Sequence, residues 1–323
     1  MSTRAFARAA VVAFCFAGSS LAPAQQWPDK PVRVLVPFPP GGGTDIQARL
    51  LSTVFQRSMG QNFIIDNRTG ASGLIAAQLA VDSAPDGNTI FFTSGSISVV
   101  VTLYAKRIKF DLMKDLQPIS WISSTPLVLV VHPTVPVKTP QELVALAKKR
   151  PGVLNGAGNT AGSTSHLAAE MMKQVTGMKA TVVTYRGGGP AVIALISGEV
   201  DYAFTTAPSI IPHLKTGKAK ALAVTTPKRS SALPQVPTMN SIYPGFEADN
   251  WYAMFFPKGT PRPIVDKMNA EIRKAIDTQE MRDFMPREAL DPVASTPEEL
   301  SALLKREIEK YAKVIERANI RVE

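Results

Sequence analysis

Residues 36–45 read VPFPPGGGTD, which is the end of an apolar run followed by prolines, three glycines and a Thr-Asp helix start. Glycines let the backbone bend sharply and let a ligand approach it closely. The unpaired N–H groups in the first turn of a helix carry the positive end of the helix dipole and bind anions. The stretch therefore predicts a strand–turn–helix unit with an anion site, although a capped turn that binds nothing would read the same.

The chemistry of this loop favours a carboxylate over a phosphate. A phosphate-binding P-loop needs Gly-Lys-Ser/Thr after its first glycine, whereas Thr44 and Asp45 follow the glycines here and no lysine is present. Asp45 would repel a phosphate. We expect a carboxylate to be held by the backbone N–H groups of residues 41–44 and by the Thr44 hydroxyl.

Apolar runs alternate with helical patterns from Val32 onward. Continuous apolar runs are typical of strands covered by helices on both faces, and strand–helix alternation predicts largely parallel sheets. The predicted strands are Val32–Pro37, Phe63–Asp66, Thr89–Thr93, Leu127–Val131, Val153–Gly156, Thr181–Tyr185, Tyr202–Thr205, Lys220–Thr225 and Trp251–Phe256. The predicted helices are Thr44–Met59, Gly73–Asp82, Pro140–Lys149, Thr164–Thr176, Pro190–Ser197, Ser209–Lys215, Arg262–Asp277 and Pro297–Ala318.

The length and composition predict a folded α/β protein of two domains. The chain has 323 residues, 45% hydrophobic and 19% charged, and a single core of that size would be unusual. No linker-like composition separates the two halves. The domains are therefore expected to be joined by strands that cross between them.

The first 24 residues have the pattern of a cleaved signal peptide. Arg4 and Arg8 precede a short apolar run, Ala9–Gly18, and the small-x-small pattern Ala22-Pro23-Ala24 follows. The run is shorter than the ~20 residues that a membrane-spanning helix needs. Cleavage would place the protein in the periplasm and remove Cys15, the single cysteine, which excludes disulfides and thiol catalysis in the mature chain.

The positive charge of the chain does not indicate nucleic-acid binding. The formal charge is +10, and removing Arg4 and Arg8 leaves 10 − 2 = +8. Lysines and arginines are dispersed among acids rather than clustered into a patch. A diffuse positive field that steers small anions is the better interpretation.

A second loop of the same type lies at residues 156–166, which read GAGNTAGSTSH. Its Gly-x-Gly-x-x-Ala pattern resembles a dinucleotide fingerprint, but the acidic residue expected ~20 residues later is absent, and Arg186 follows the next strand. Hydrogen-bonding side chains such as Asn159, Ser163 and Thr164 suit a carboxylate. One such loop in each domain would form a two-sided clamp.

Other candidate ligand residues follow the remaining predicted strands, because ligands of open α/β sheets bind outside the carboxyl ends of strands. They are Ser94 and Gly95, Arg186 and Gly187, and Thr205 and Thr206. Arg186 could pair bidentately with a second carboxylate or could be a solvated surface arginine.

Residues with catalytic or metal-binding spacing are missing. His132, His166 and His213 are mutually unrelated in spacing, and no Gly-x-Ser-x-Gly elbow occurs. We therefore expect a binding protein rather than an enzyme, with no cofactor and no metal. A secreted hydrolase is the weaker alternative.

With these motifs in place, the chain resembles the extracytoplasmic solute-binding receptors of tripartite tricarboxylate transporters, the Bug family. The resemblance covers essentially the whole mature chain. It includes Pro37 to Asp45, Asp66-Asn67-Arg68, Ala84-Pro85-Asp86-Gly87, Gly162 to Leu167, Tyr185-Arg186-Gly187, Ala221 to Thr225, and the Leu-Pro-x-Val-Pro-Thr run at 233–238.

The resemblance implies a type II periplasmic-binding-protein fold, with two α/β domains joined by two crossing segments and a ligand cleft between them. Domain I would be 27–124 plus 227–323, and domain II would be 125–226. The ligand carboxylate would meet Phe38, Gly41, Gly42, Gly43, Thr44 and Asp45 of domain I and Ser163 and Thr164 of domain II, with Ser94, Gly95, Thr205 and Thr206 at the rim.

The resemblance also implies partners. The receptor would act as a monomer that closes on a small carboxylate and delivers it to membrane subunits of a tripartite transporter. A periplasmic sensor that presents its ligand to a signalling protein would have the same sequence features. Many relatives carry an acidic residue after Phe204, where this chain has the neutral Thr205-Thr206-Ala207. An amino-acid ligand is therefore disfavoured, and a mono-, di- or aromatic carboxylate is expected.

Overall fold

A computed structural model describes residues 27–318, so the predicted signal peptide at 1–24 lies outside the described residues. The strands form two sheets. They are β1 (Val32–Val36), β2 (Phe63–Asn67), β3 (Thr89–Ser94), β4 (Leu116–Thr125), β5 (Leu127–Val131), β6 (Asn155–Gly158), β7 (Thr181–Thr184), β8 (Tyr202–Thr206), β9 (Lys220–Val224), β10 (Asn250–Pro257) and β11 (Asp291–Pro292).

Helices cover both faces of each sheet. They are α1 (Gly43–Met59), α2 (Leu74–Val81), α3 (Ser96–Leu103), α4 (Leu112–Asp115), α5 (Pro140–Lys149), α6 (Thr164–Thr176), α7 (Gly188–Ile196), α8 (Ala207–Lys215), α9 (Met239–Ile242), α10 (Arg262–Ile276), α11 (Gln279–Arg287) and α12 (Pro297–Ala318), with a 3₁₀ turn at Ala71–Gly73. Across residues 27–318, none of these helices combines the length and apolar character needed to cross a bilayer.

Each sheet mixes parallel and antiparallel strands, so the prediction of largely parallel sheets is wrong. The first sheet has the order β11-β4-β10-β3-β1-β2, and the second has the order β7-β6-β8-β5-β9. β1 is parallel to β2 and β3, and β6 is parallel to β7 and β8. In the first sheet, β10 and β11 run opposite to β1, β2, β3 and β4, and in the second sheet, β5 runs opposite to its neighbours β8 and β9. β5 and β10 are the strands that follow the two passages of the chain between the sheets.

Two segments cross between the sheets, as predicted. The first is the β4–β5 junction at Pro126, and the return runs from Thr225 to Asn250. Thr225 connects the two crossings, because its N–H donates to the carbonyl of Leu127 next to Pro126 (2.9 Å). Its hydroxyl donates to the Ala248 carbonyl (3.0 Å), which ties the two ends of the return crossing to each other. The connection between the sheets is therefore a paired hinge rather than a loose linker.

Separate hydrophobic cores lie beside the two sheets. Phe55 and Met268 are among the buried residues of the first, and Leu129 and Phe204 are among those of the second. Met239, Phe246 and Ala248 also pack in the second core. These contacts favour a return crossing at 249–250. The division into 27–124 plus 227–323 and 125–226 stays a prediction, with this shift proposed for its second limit.

Candidate functional site

Five helices begin where strand ends of the two sheets face one another. In the first sheet, β1 and β3 lead into α1 and α3, and in the second sheet, β6, β7 and β8 lead into α6, α7 and α8. Because β10 runs antiparallel to β3, its amino end brings Asn250 to the same edge. The topology thus gathers the N–H-bearing ends of five helices around one cleft between the sheets.

A narrow cavity, here called the first chamber, lies at this meeting point. Its volume is about 20 Å³, and a single water molecule needs roughly 10–15 Å³. The side chains that line it are all uncharged. The lining residues are Phe38, Gly42, Gly43, Thr44, Ser94, Ser96, Asn159, Ser163, Thr164, Gly188, Thr206, Asn250 and Tyr252.

Among the three glycines in the first loop, Gly43 is the position at which the chamber leaves no space for a side chain. A Cβ at position 43 would overlap the Tyr252 hydroxyl and would lie 2.7 Å from Thr206 Oγ1. At Gly42, the backbone is extended (φ −81°) and a Cβ would keep ordinary contacts of 3.8 Å or more. Gly41 takes a left-handed φ of +84° at the turn, which favours glycine.

Asp45 has a structural role in this loop. Its carboxylate is buried, accepts the Gly41 N–H (3.1 Å) and an amide N–H of Asn67 (3.0 Å), and pairs with Arg49 (3.0 Å). The Gly41 N–H is therefore not available to a ligand, contrary to the prediction for residues 41–44. The backbone donors that remain for a ligand are those of the first turn of α1. The first N–H groups of a helix have no carbonyl partner within the helix, and no side chain caps α1 at Gly42.

The second loop is held by a hydrogen-bond network of its own. Ser163 caps α6 by accepting the His166 N–H (3.2 Å), and Ser165 accepts the Asn159 N–H (3.0 Å). His166 Nδ1 accepts the Gly162 N–H (3.1 Å), and burial lowers the pKa of the imidazole. His166 is therefore a neutral structural residue of the loop.

Thr164 connects the two sides of the cleft. Its N–H donates to the Ser96 hydroxyl (3.3 Å), and its own hydroxyl donates to the Asn250 side-chain oxygen (3.4 Å). Farther along the cleft, Gly187 is packed against Pro39, so that a Cβ at 187 would come within 2.6 Å of the proline ring. The two domains are thus in direct contact around the first chamber.

Two polar side-chain groups at the first chamber lack a hydrogen bond to another residue. They are the Tyr252 hydroxyl and the side-chain oxygen of Asn159. Burial raises the pKa of the Tyr252 hydroxyl, which keeps it protonated and able to donate. The Asn159 amide can offer either its oxygen or its NH₂ group to a ligand. Together with the helix N-termini, these groups can hold an anion without any cationic side chain.

The structure brings together nine of the predicted site residues in the first chamber: Phe38, Gly42, Gly43, Thr44, Ser94, Asn159, Ser163, Thr164 and Thr206. Arg186 lines a neighbouring cavity instead. The others lie outside the lining of both: Gly41, Asp45, Gly95, Gly187 and Thr205. Gly95 leaves room for the Trp251 indole, which a Cβ there would approach to 2.9 Å.

Sequence reasoning missed two residues of the lining, Asn250 and Tyr252. Ser96 and Gly188, which also line it, lie in the predicted strand-end loops that contain Ser94 and Gly187. Tyr252 lies in the predicted strand Trp251–Phe256, and its ring packs in the first core, but its hydroxyl reaches the chamber. Within residues 27–318, no three His, Cys, Asp or Glu side chains are grouped closely enough to hold a metal.

Two mixed sheets, each covered by helices and joined by two crossings with a cleft between them, define a periplasmic solute-binding protein of the type II fold. Solved periplasmic binding proteins share this fold. The chain belongs to the tripartite tricarboxylate transporter family receptors (TctC), whose sequence pattern matches residues 47–320. It is therefore a solute-binding receptor and not an enzyme.

Individual relatives cover nearly the whole chain. Protein BugT of Bordetella pertussis (strain Tohama I) is 35% identical over 294 residues, which is 90% of each chain. The structure of Rpa4515 of R. palustris with adipate has a TM-score of 0.88 at 32% identity and covers 91% of this chain and 99% of that chain. MatC (Rpa3494) from Rhodopseudomonas palustris with bound malate has a TM-score of 0.84 at 30% identity, covering 90% and 100%.

Proposed function

We propose that this receptor captures a small carboxylate between its two domains. The observation that carries the proposal is the first chamber, where the N-termini of five helices meet and the lining side chains are all neutral. Backbone N–H groups at helix starts favour a negative charge. A lining without acidic side chains offers no negative charge to pair with an ammonium group, which favours a plain carboxylate over an amino acid.

The similar structures support this class of ligand. Rpa4515 was solved with adipate and MatC with malate, and both ligands are carboxylates. Delivery of the ligand to membrane subunits of a tripartite transporter is part of the proposal, because the family consists of receptors for such transporters. The proposal also includes export to the periplasm by a signal peptide at residues 1–24 and action as a monomer.

A thermal-shift screen of carboxylates tests the proposal. We expect at least one mono-, di- or aromatic carboxylate to raise the melting temperature of the mature protein, since a ligand at ~100 times its Kd adds about 2.7 kcal/mol to the free energy of unfolding. Neutral amides of the same acids are the matched controls and should give no shift. A screen in which amides stabilise the protein as well as acids do would contradict carboxylate recognition.

Domain closure is the second expected result. Donors on α1 belong to one domain and donors on α6 to the other, so a single ligand contacts both only when the domains approach. A ligand shifts the equilibrium toward the state that it contacts better. Small-angle scattering should show a smaller radius of gyration at saturation with a stabilising carboxylate. An unchanged radius at saturation would mean that the ligand does not close the cleft.

A further inference from the structure

The return crossing between the sheets ends at Asp249. Ala248, one residue before it, packs in the second core, and Asn250, one residue after it, pairs with Thr125 in the first sheet. The chain therefore passes from the second core to the first sheet within three residues. Hinge motions are absorbed by a few residues at the ends of elements, so opening of the cleft changes the surroundings of Asp249.

The helix α12 lies against elements of both sheets close to this hinge. Its Tyr311 is buried in a small cluster with Val99 of α3 and Leu167 of α6, and these two helices follow strands of the first and the second sheet. The first turn of α6 also reaches the end of the return crossing, where the Thr164 hydroxyl donates to the Asn250 side-chain oxygen (3.4 Å). In this closed arrangement, α6 and α12 therefore enclose the end of the crossing.

Two buried polar groups at this place have no hydrogen-bond partner among residues 27–318. They are Oδ1 of Asp249 and the hydroxyl of Tyr311. Burial raises the pKa of the Tyr311 hydroxyl, which keeps it neutral. A buried polar group without a partner is unfavourable. This cost belongs to the closed arrangement, because water can reach both groups once α6 moves away from α12.

The charged groups that face Asp249 do not compensate its charge. Glu247 comes from the crossing, Asp291 from β11 and Glu307 from α12, and all three raise the Asp249 pKa. The base that faces it, Lys310, lowers this pKa but forms its ion pair with Glu307 (3.6 Å). An ionised Asp249 is therefore poorly solvated and lies among like charges.

We propose that closure of the cleft on a carboxylate is coupled to protonation of Asp249, so that the hinge takes up a proton when the ligand binds. The proposal rests on the proposed function, since the carboxylate drives the closure. Burial raises the pKa of Asp249 to about 7 in the closed arrangement, whereas a hydrated Asp has a pKa near ~3.9. Protonation therefore favours closure below pH 7, and this advantage is lost as the pH rises through 7.

Titration calorimetry at pH 6 and pH 9 tests the coupling, with adipate and malate, the ligands of two similar structures, as probes. Wild type should bind about tenfold more tightly at pH 6 than at pH 9, the ratio expected for a closed-state pKa of about 7. Asp249→Asn stays neutral and should lack this tenfold change. Both proteins receive the same acid, so the comparison removes the titration of the ligand itself.

Proton uptake is the second readout. At pH 7, wild type should take up about half a proton more per bound ligand than Asp249→Asn, because a group with a pKa of about 7 is half protonated there. The uptake is measured as the difference in binding heat between phosphate and Tris buffers. A residue with a purely structural role at the hinge would change affinity without changing the number of protons taken up.

Glu247→Gln and Asp82→Asn are the companion variants. Glu247 is exposed and its charge raises the Asp249 pKa, so its loss should move the pH dependence of the affinity to lower pH without abolishing it. Asp82 is also exposed, lies at the end of α2 and is not among the groups that shift the Asp249 pKa. Asp82→Asn should therefore match wild type at every pH.

The outcomes separate the coupling from the receptor function. An equal change of affinity between pH 6 and pH 9 in wild type and Asp249→Asn, or equal proton uptake by the two, would overturn the coupling and leave the carboxylate receptor in place. Failure of adipate, malate and every other acid of the thermal-shift screen to bind wild type at either pH would reject the proposed function, and the coupling with it.

Discussion

Replacing Gly43 with alanine should abolish carboxylate binding, with affinity falling by about 100-fold or more. The new methyl group would overlap the Tyr252 hydroxyl and approach Thr206 Oγ1 to 2.7 Å, at the point where the two domains meet over the first chamber. Overpacking of this kind costs roughly 1–3 kcal/mol, and 2.7 kcal/mol corresponds to about 100-fold in affinity. Because the clash lies inside the cleft, it should oppose the closed, ligand-bound state most strongly.

Gly42→Ala is the matched control for this prediction. It adds the same methyl group one residue away, where the nearest atoms are 3.8–3.9 Å distant and the backbone is extended. Its affinity should stay within a few-fold of wild type. Titration calorimetry gives the affinities, and thermal melts show whether each variant is folded. Wild-type affinity in a folded Gly43→Ala protein would remove the first chamber as the carboxylate site.

The position of the anion-type loops could be predicted from local sequence, but the role of each glycine could not. A Gly-rich turn before a capped helix is a local pattern, and the structure places both loops at the cleft. The requirement for glycine at 43 arises from Tyr252 and Thr206, which come from distant strands in two sheets. The spacing of residues within the loop therefore could not predict those contacts.

Asp45 was predicted to bind the ligand because it lies in the first loop, and again the local sequence did not show its long-range contacts. The carboxylate is in the right loop, yet it is occupied by Arg49 four residues later and by Asn67. The i, i+4 spacing of Asp45 and Arg49 on one helix face was a usable signal. The contact with Asn67 depends on the pairing of β1 with β2 and was not visible in the sequence.

Helix limits were most accurate where capping residues mark them. The Thr139 hydroxyl accepts the Glu142 N–H (3.1 Å), and α5 spans the predicted Pro140–Lys149. The strand β4 was missed because Pro118 lies within it, and proline removes a ladder hydrogen bond. In the structure, the β4–β10 pairing contains two register shifts, and Pro118 is opposite Phe255 at one of them. Tertiary pairing with β10 thus forms a strand that local propensity disfavours.

A cluster of acids surrounds the return crossing at Asp249. Burial raises the pKa of its carboxyl to about 7, with Glu247, Glu307 and Asp291 adding to the rise and Lys310 opposing it. One Asp249 oxygen is buried without a hydrogen-bond partner. The hinge between the domains therefore contains a carboxyl group whose ionised form is disfavoured in the folded protein.

Asp249→Asn should make the protein more stable than wild type above pH 7 and equally stable near pH 4. The folded-state pKa of about 7 exceeds the unfolded value of about 3.9. The folded state therefore favours the neutral acid, and this advantage is complete below pH 4 and is lost as the pH rises to 7. Since asparagine stays neutral, the variant avoids a loss on the order of 2–4 kcal/mol. Urea denaturation from pH 4 to 9 measures the difference, with exposed Asp82→Asn as the control. Parallel stability curves for wild type and Asp249→Asn over that range would show that Asp249 is ionised at the hinge without cost.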